Sequence, residues 1–209
     1  MSDATIGLQA LLTVAMLVLY GGALLLVQRR HPVWPARLAH ADLREAWLTA
    51  PSKHPGSEVL AVQTLRNSLM AATMTASTAA LEPIRAVTFA APNSTLGDAG
   101  SAHFTACLAL ELVPMTLLFS CLVCSAVTVR YYNHVRFICA MPVNSQARQR
   151  WAPIGAVSLR RAGLLYSRGL RNLLMVAPIL AFTVCPWAKP AAAGVVVAAL
   201  VVFDRFAME

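Results

Sequence analysis

The residues best suited to chemistry in this 209-residue chain are polar groups inside apolar segments. Gln63, Arg66 and Asn67 stand at positions i, i+3 and i+4 of the apolar run 59–81, so a helix would carry them on one face. A charged side chain inside a bilayer is costly, and it is tolerated when it reaches the headgroups or pairs within the protein. The triplet therefore predicts either an arginine that extends to the inner headgroups or an internal polar cluster.

The expected partners of Arg66 lie where other apolar runs end. Asp204 could neutralise its charge, and Asn133 and His134 could bond to it, because all four would lie at similar depth. We therefore predict a structural polar cluster around Arg66, with an Arg66–Asp204 ion pair as its central contact.

Glu111 is the other charge within an apolar run, about two turns from the outer end of the segment 104–129. A carboxylate at that depth could be a proton or cation site. The alternative is a partly hydrated carboxylate near the outer surface, or one that caps the kink expected at Pro114.

Cysteines and histidines show no pattern typical of a metal or redox site. Cys121 and Cys124 form a CxxC in the middle of an apolar run, without a second pair or a nearby histidine, and are predicted to be packing residues. No histidine stands four residues from another, and no nucleotide-binding, hydrolase or metalloprotease motif occurs. We expect no catalytic residues, no metal and no cofactor, with bound lipids as the ligands.

Composition places the chain among membrane proteins. It is 58% hydrophobic and 12% charged, with a mean hydropathy of +0.62 and a net charge of +8. In a soluble protein such an excess of positive charge would suggest nucleic acid, but in a membrane protein basic residues collect on one face. We therefore expect anionic lipids at the inner face and other membrane subunits as partners, and no nucleic acid.

Apolar runs define the elements that would position these residues. Because a span needs about 20 residues, the sequence predicts a single all-α domain, 1–209, an integral membrane bundle of about five transmembrane helices. The predicted spans are 6–27, 59–81, 104–129, 172–184 and 191–206. The last two are short and would form a tight hairpin. Small residues recur along 59–81, which predicts a central helix of the bundle, or alternatively a water path lined with hydroxyls.

The orientation follows from the basic residues. With the N-terminus outside and the C-terminus inside, the inner loops 29–58 and 130–171 and the tail hold 14 of the 17 Lys and Arg residues, and the outer loops hold 2. Arg29 and Arg30 follow the first apolar run, which indicates a retained anchor instead of a signal peptide. Within the second inner loop, 155–172 predicts a basic helix lying on the membrane surface.

Several segments resemble an uncharacterised family of multi-span membrane proteins, a domain of unknown function shared by plants and proteobacteria. The similar segments, in order, are "VLAVQTLRNSLMAATMTASTAAL", "VRYYNHVRFI", "RGLRNLLMVAPILAF" and "VVFDRF", with "LREAWL" before the first. The resemblance implies a multi-span membrane fold and brings no activity. It singles out polar residues at the inner ends of spans: Gln63, Arg66, Asn67, Arg130, Asn133, Arg171 and Asp204.

The function that these features favour is non-enzymatic. We expect a structural or accessory subunit of a larger membrane complex, because small residues suit burial against partner helices. The alternative is a small proton, ion or solute transporter or channel, with Glu111 and the Arg66 cluster on its path. An enzyme acting on lipid headgroups has the least support. The membrane would be a bacterial inner membrane or a eukaryotic organelle membrane or endomembrane.

Overall fold

The computed structural model describes residues 36–49, 56–90, 106–184 and 188–204, with Ala15, Leu19, Gly22 and Leu26; at several helix ends it describes the backbone alone. These residues form five α-helices and no strand, which confirms the predicted all-α class for the described part of the chain. The helices are α1 Ala36–Thr49, α2 Glu58–Ala90, α3 Ala106–Ala140, α4 Gln146–Val184 and α5 Ala188–Asp204.

The helices extend beyond the apolar runs from which they were predicted. The predicted inner loop 130–171 is helical except at residues 141–145, and the other predicted inner loop, 29–58, contains α1. Residues 155–172, predicted as a helix, are helical, whereas the helix at 36–49 and the helical residues 130–140 and 146–154 were not predicted. That these segments lie on the inner side of a membrane stays a prediction. The arginines and aromatic residues that follow the apolar run of α3 are compatible with a helix, and the first strong break is Pro142. The predicted span 6–27 lies outside the described residues, apart from four helical positions.

A short polar turn joins α3 to α4. The amide of Ser145 donates to the carbonyl of Pro142 at 3.0 Å. The hydroxyl of Ser145 then accepts a hydrogen bond from the amide of Arg148 at 3.2 Å, which caps the N-terminus of α4. Because the connection is only five residues long, α3 and α4 run antiparallel as neighbours.

Among the described helices, α3 and α4 form the centre. They pack most extensively on each other, with α2 on α3, and α1 and α5 on α4. Within the described part, α2 packs mainly on α3, and its predicted central place in the whole bundle stays a prediction, because the predicted span 6–27 lies outside the described residues. The buried residues Ala61, Leu65, Ala72 and Ala79 of α2 form one narrow stripe, and its other side is exposed.

Close approach of α3 and α4 depends on Gly169. A Cβ atom there would lie 3.3 Å from the Cβ of Cys124 and 3.4 Å from the carbonyl oxygen of Cys121. Both cysteines are buried free thiols, packed against this glycine. Small residues on each helix allow the backbones to come together, as at many helix contacts in membranes.

The largest apolar core lies near the turn between α3 and α4, where α1 joins the other helices. Four helices contribute to it. Its buried members are Leu48, Ala61, Leu65, Ala72, Tyr132, Val135, Cys139, Ala156, Leu159 and Ala162.

One segment of the described helices, Val113–Ala140 of α3, is long and apolar enough to cross a membrane by length and composition. The apolar segment Ala191–Val202 of α5 is shorter. At 1.5 Å per residue, the 28 residues of the α3 segment extend about 42 Å, which exceeds the roughly 30 Å of a hydrocarbon core. Part of this segment must therefore lie outside any bilayer that it crosses perpendicularly.

Candidate functional site

The residues predicted to form the polar cluster are spread over three described helices. Gln63, Arg66 and Asn67 are exposed on the uncovered side of α2. Arg130 and His134 are exposed on α3, where Asn133 is half-buried, and Arg171 is half-buried on α4. The side chains of Asp204 and Glu111 lie outside the described residues, so the Arg66–Asp204 pair and the Glu111 site stay predictions.

Contacts between helices fix how the helices are aligned along the bundle axis. Leu65 and Ala72 of α2 share an apolar core with Tyr132 of α3, which places Ser68 at the level of Tyr132. Further along α3, the side-chain amide of Asn172 donates to the hydroxyl of Ser120 at 2.9 Å. These two levels are twelve residues apart on α3, or about 18 Å.

This alignment places the predicted spans 59–81 and 172–184 at different levels along the bundle axis. Residues near Ser68 lie beside Tyr132, whereas the run 172–184 begins beside Ser120 and leads away from Tyr132. From Ser68 to the end of α4 the distance along the axis is about 36 Å. One flat hydrocarbon layer of about 30 Å therefore cannot hold the whole of both runs if the helices stand perpendicular to it.

The bundle has two ends that differ in character. The turn end comprises α1 and residues 58–70, 128–140 and 141–161. The apolar end comprises residues 106–124 and 169–184 and α5.

A buried arginine organises the turn end. Arg148 is 2% exposed, and its Nη1 donates to the carbonyl oxygens of Met141 at 2.7 Å and Cys139 at 3.0 Å. These carbonyls belong to the last residues of α3 and the start of the turn, where the helix leaves acceptors without partners. A guanidinium at this place satisfies them and opposes the negative end of the helix dipole.

Glu58 ties the first turn of α2 to the same connection. Its carboxylate accepts from the amides of Gly56 at 2.7 Å and Val143 at 3.2 Å. The amide of Glu58 itself, these two amides and the charge of Arg148 hold the pKa of Glu58 below its usual value, against the opposite effect of burial. The carboxylate thus joins residues 85 positions apart in the sequence.

A second arginine fastens α1 to α4. The side chain of Arg44 lies over Gly163, where a Cβ atom would be 2.9 Å from the Cζ and 3.2 Å from the Cδ of Arg44. The charge of Arg44 also acts on Tyr132. Beside it, the Nε of Arg160 donates to Asp42 at 3.1 Å across the exposed edge of the α1–α4 contact.

Sequence reasoning missed Arg148, Arg44 and Asp42. The available signal was Pro142 followed by Ser145 and Arg148, which is typical of a turn capped by a hydroxyl. This signal was not used, because only residues 155–172 of the inner loop 130–171 were predicted to be helical.

The hydroxyls of α2 bond within their own helix. Six of them donate to the carbonyl four residues earlier, at distances of 2.9 to 3.3 Å. They belong to Thr64, Ser68, Thr73, Thr75, Ser77 and Thr78. Hydroxyls bonded in this way need no water and are compatible with lipid or with a packed helix.

Arginines far outnumber acidic residues on α3 and α4, where Glu111 is the one carboxylate in the sequence. Residues 112–184 contain eight arginines and no Asp or Glu. Arg148 is buried and Arg160 pairs with α1. Five of the others are exposed: Arg130, Arg136, Arg150, Arg161 and Arg168. The turn end therefore presents a basic surface.

In the described part of the chain, no group of three or more His, Cys, Asp or Glu residues is arranged to hold a metal ion. The expectation that the protein has no cofactor stays a prediction.

Comparison with known proteins assigns the family. No curated protein and no solved structure matches the chain. The family described as "Protein of unknown function, DUF599" matches residues 8–208, which is nearly the whole sequence. The predicted membership of an uncharacterised family is thereby confirmed, and the chain belongs to the DUF599 family of proteins of unknown function.

Proposed function

We propose that the chain is a non-enzymatic integral membrane protein that serves as a structural or accessory subunit of a larger membrane complex. The observation that carries this proposal is the uncovered side of α2, which presents Met70, Met74 and Leu81 with exposed fractions of 53%, 69% and 59%. Between them lie small residues, and the hydroxyls there are already bonded within the helix. Such a surface suits close approach of a partner helix.

The bilayer is placed at the apolar end. Residues 106–124 of α3 extend about 28 Å, close to the thickness of a hydrocarbon core. The alternative, a bilayer at the turn end, would immerse exposed arginines such as Arg66, Arg130 and Arg161, each at a high cost. The part of α2 beside the apolar end contains Glu82 and Arg85, opposite charges three residues apart, a spacing at which they can neutralise each other.

With this placement the turn end projects on the inner side of the membrane. The number of crossings and the orientation stay as predicted, with the N-terminus outside and the C-terminus inside. Anionic lipids would meet Arg168 and Arg171, which lie within one turn of the Asn172 level. The membrane would be a bacterial inner membrane or an organelle membrane or endomembrane.

Transport is the weaker proposal. A water path along α2 would need hydroxyls free to bond to water, whereas six of them bond to their own helix. The internal bonds suit a packed or lipid-facing surface better.

The test separates a subunit from an independent protein. Extracted from native membranes in mild detergent, the chain should migrate with a large assembly at fixed stoichiometry. Ala71→Trp and Thr78→Trp, both on the uncovered side of α2, should release it without unfolding it. Phe119→Trp, on an exposed site of α3 at the apolar end, is the matched control and should leave the assembly intact. A wild-type chain that migrates alone would refute the proposal.

A further inference from the structure

The exposed side of α3 and α4 at the turn end combines positive charge with large apolar side chains. On α4, Arg150, Ile154, Val157 and Arg161 stand at i, i+4, i+7 and i+11 and all are exposed. On α3, Arg130 and Phe137 are exposed seven residues apart. These six residues are called the arginine face. Phe137 and Ile154 are 69% and 54% exposed.

The two stripes adjoin and lie on one side of the bundle. Gly155 contacts the side chain of Ile138, with a Cβ position 3.2 Å from its Cδ1, so Phe137 and Ile154 lie at the same level of neighbouring helices. Both α1 and α2 pack against the core formed with Tyr132 and Leu159, on the buried sides of α3 and α4. The arginine face points away from that core.

Lipid headgroups cannot cover this face. From Asn172 to Arg161 the distance along α4 is about 16 Å, and to Arg150 it is about 33 Å. The headgroup layer adds only about 5–8 Å to each side of the hydrocarbon core. With Asn172 near the inner edge of that core, Arg168 reaches the headgroups, but Arg161 and Arg150 lie beyond them.

A second copy of the chain does not match the face symmetrically. A two-fold contact would bring the same surface from each copy together, and the arginines would face arginines. Residues 112–184 supply no carboxylate to separate them. Like charges at an interface cost free energy, so the face requires a partner that carries negative charge.

We propose that the arginine face binds an acidic amphipathic helix of a partner subunit, with carboxylates bonded to Arg130, Arg150 and Arg161. Its apolar residues would cover Phe137, Ile154 and Val157. Residues at i, i+4, i+7 and i+11 form one continuous stripe along α4, and an amphipathic partner helix can lie along such a stripe. This inference rests on the proposed role as an accessory subunit and names the chemistry of the partner.

The experiment uses the full chain in its native membrane, with a photoreactive amino acid in place of Ile154. Irradiation should give one protein adduct, and the cross-linked peptide, sequenced by mass spectrometry, should be rich in Asp and Glu. The double substitution Arg150→Gln with Arg161→Gln should lower the adduct yield about tenfold, since two ion pairs at an interface are together worth about a factor of ten. Arg168→Gln, at headgroup depth, is the control and should leave the yield unchanged.

Other occupants give distinct results, and each overturns the inference. An adduct only with phospholipid means that the face lies on the membrane, and it also refutes the proposed placement of the bilayer. An adduct with a second copy means self-association. No adduct, together with continued migration in a large assembly, refutes the acidic partner helix and leaves the accessory role intact. A protein adduct whose yield does not respond to the arginine substitutions refutes the charge-based recognition.

Discussion

At the turn end, charged side chains cross from one helix to the next, whereas at the apolar end the helices meet through small residues and the uncharged hydrogen bond between Asn172 and Ser120. Arg148, Glu58 and Arg44 each bond or pack across elements near residues 141–145. Around Gly169 the contact is made by the backbone and side chains of Cys121 and Cys124. The same two long helices, α3 and α4, take part in both arrangements.

This difference follows from the two solvents that we propose for the two ends. In water, apolar burial holds helices together, and polar groups at helix ends need partners once they are buried. In lipid, apolar burial gives no net drive between helices, so close packing and satisfied backbone groups matter more. Loss of a polar or charged partner should therefore lower the free energy of unfolding through the turn end, and enlargement of a small residue should lower it through the apolar end.

The largest effect is expected from Arg148→Leu at the turn end. The substitution leaves the carbonyls of Cys139 and Met141 without their charged donor in a buried place. Hydrogen bonds to charged groups are worth about 1.5–3 kcal/mol each, so we expect a loss of about 3 kcal/mol in the free energy of unfolding. Chemical denaturation of the purified protein in mild detergent measures it.

Arg150→Leu, two residues away on an exposed site, is the control and should change stability by no more than about 0.5 kcal/mol. Equal denaturation midpoints for the Arg148 variant and the wild type would show that the turn end does not depend on its buried arginine.

A smaller effect is expected from Gly169→Val where the apolar end begins. The branched side chain cannot fit 3.3 Å from the Cβ of Cys124 without moving α3 from α4, and overpacking of this kind costs about 2 kcal/mol. Gly194→Val in α5 is the matched control, because nothing lies within 4 Å of a Cβ atom there. The same denaturation assay compares the two. Similar losses in both would mean that the substitutions act through the helix backbone and not through the α3–α4 contact.

The helices were predictable from the sequence to the extent that the apolar pattern marks them. Apolar runs located α2 to α5, because a long apolar run without strong breaks forms a helix in either solvent. The ends of these helices were not predicted from the apolar runs, because arginines after such a run mark a change from lipid to water and do not end a helix. Pro142 does stop one, and Pro153 lies inside α4 without ending it.

The candidate site was harder to predict than the helices. The spacing placed Gln63, Arg66 and Asn67 on one face of α2, and the structure shows all three exposed. Which face meets a neighbour does not follow from spacing when small residues surround the helix, and here Ala61 and Ala72 make the contact. The bond between Glu58 and Val143 joins distant segments, so no local pattern reveals it.

The smallest effect concerns pH and the carboxylate of Glu58 at the turn end. The folded protein lowers the pKa of Glu58 from its usual 4.5, so the ionised form stabilises the fold. This contribution is fully present above about pH 4.5, where the carboxylate is ionised in both states, and is lost as the pH falls through the lower pKa of the folded state. The wild type should therefore be more stable than Glu58→Gln at neutral pH, and the gap should close in acid.

Thermal unfolding of both proteins across the acidic range, with Glu45→Gln on α1 as the control, measures this gap. If the stability of the wild type exceeded that of Glu58→Gln by the same amount at every pH, Glu58 would act through its shape alone, because its protonation would then leave the stability unchanged. A gap that closes in acid for Glu58→Gln, without a similar change for Glu45→Gln, would show that charge on α2 holds the turn between α3 and α4. The contact at Gly169, made by Cys121, Cys124 and Ser125, contains no carboxylate and offers no such titration.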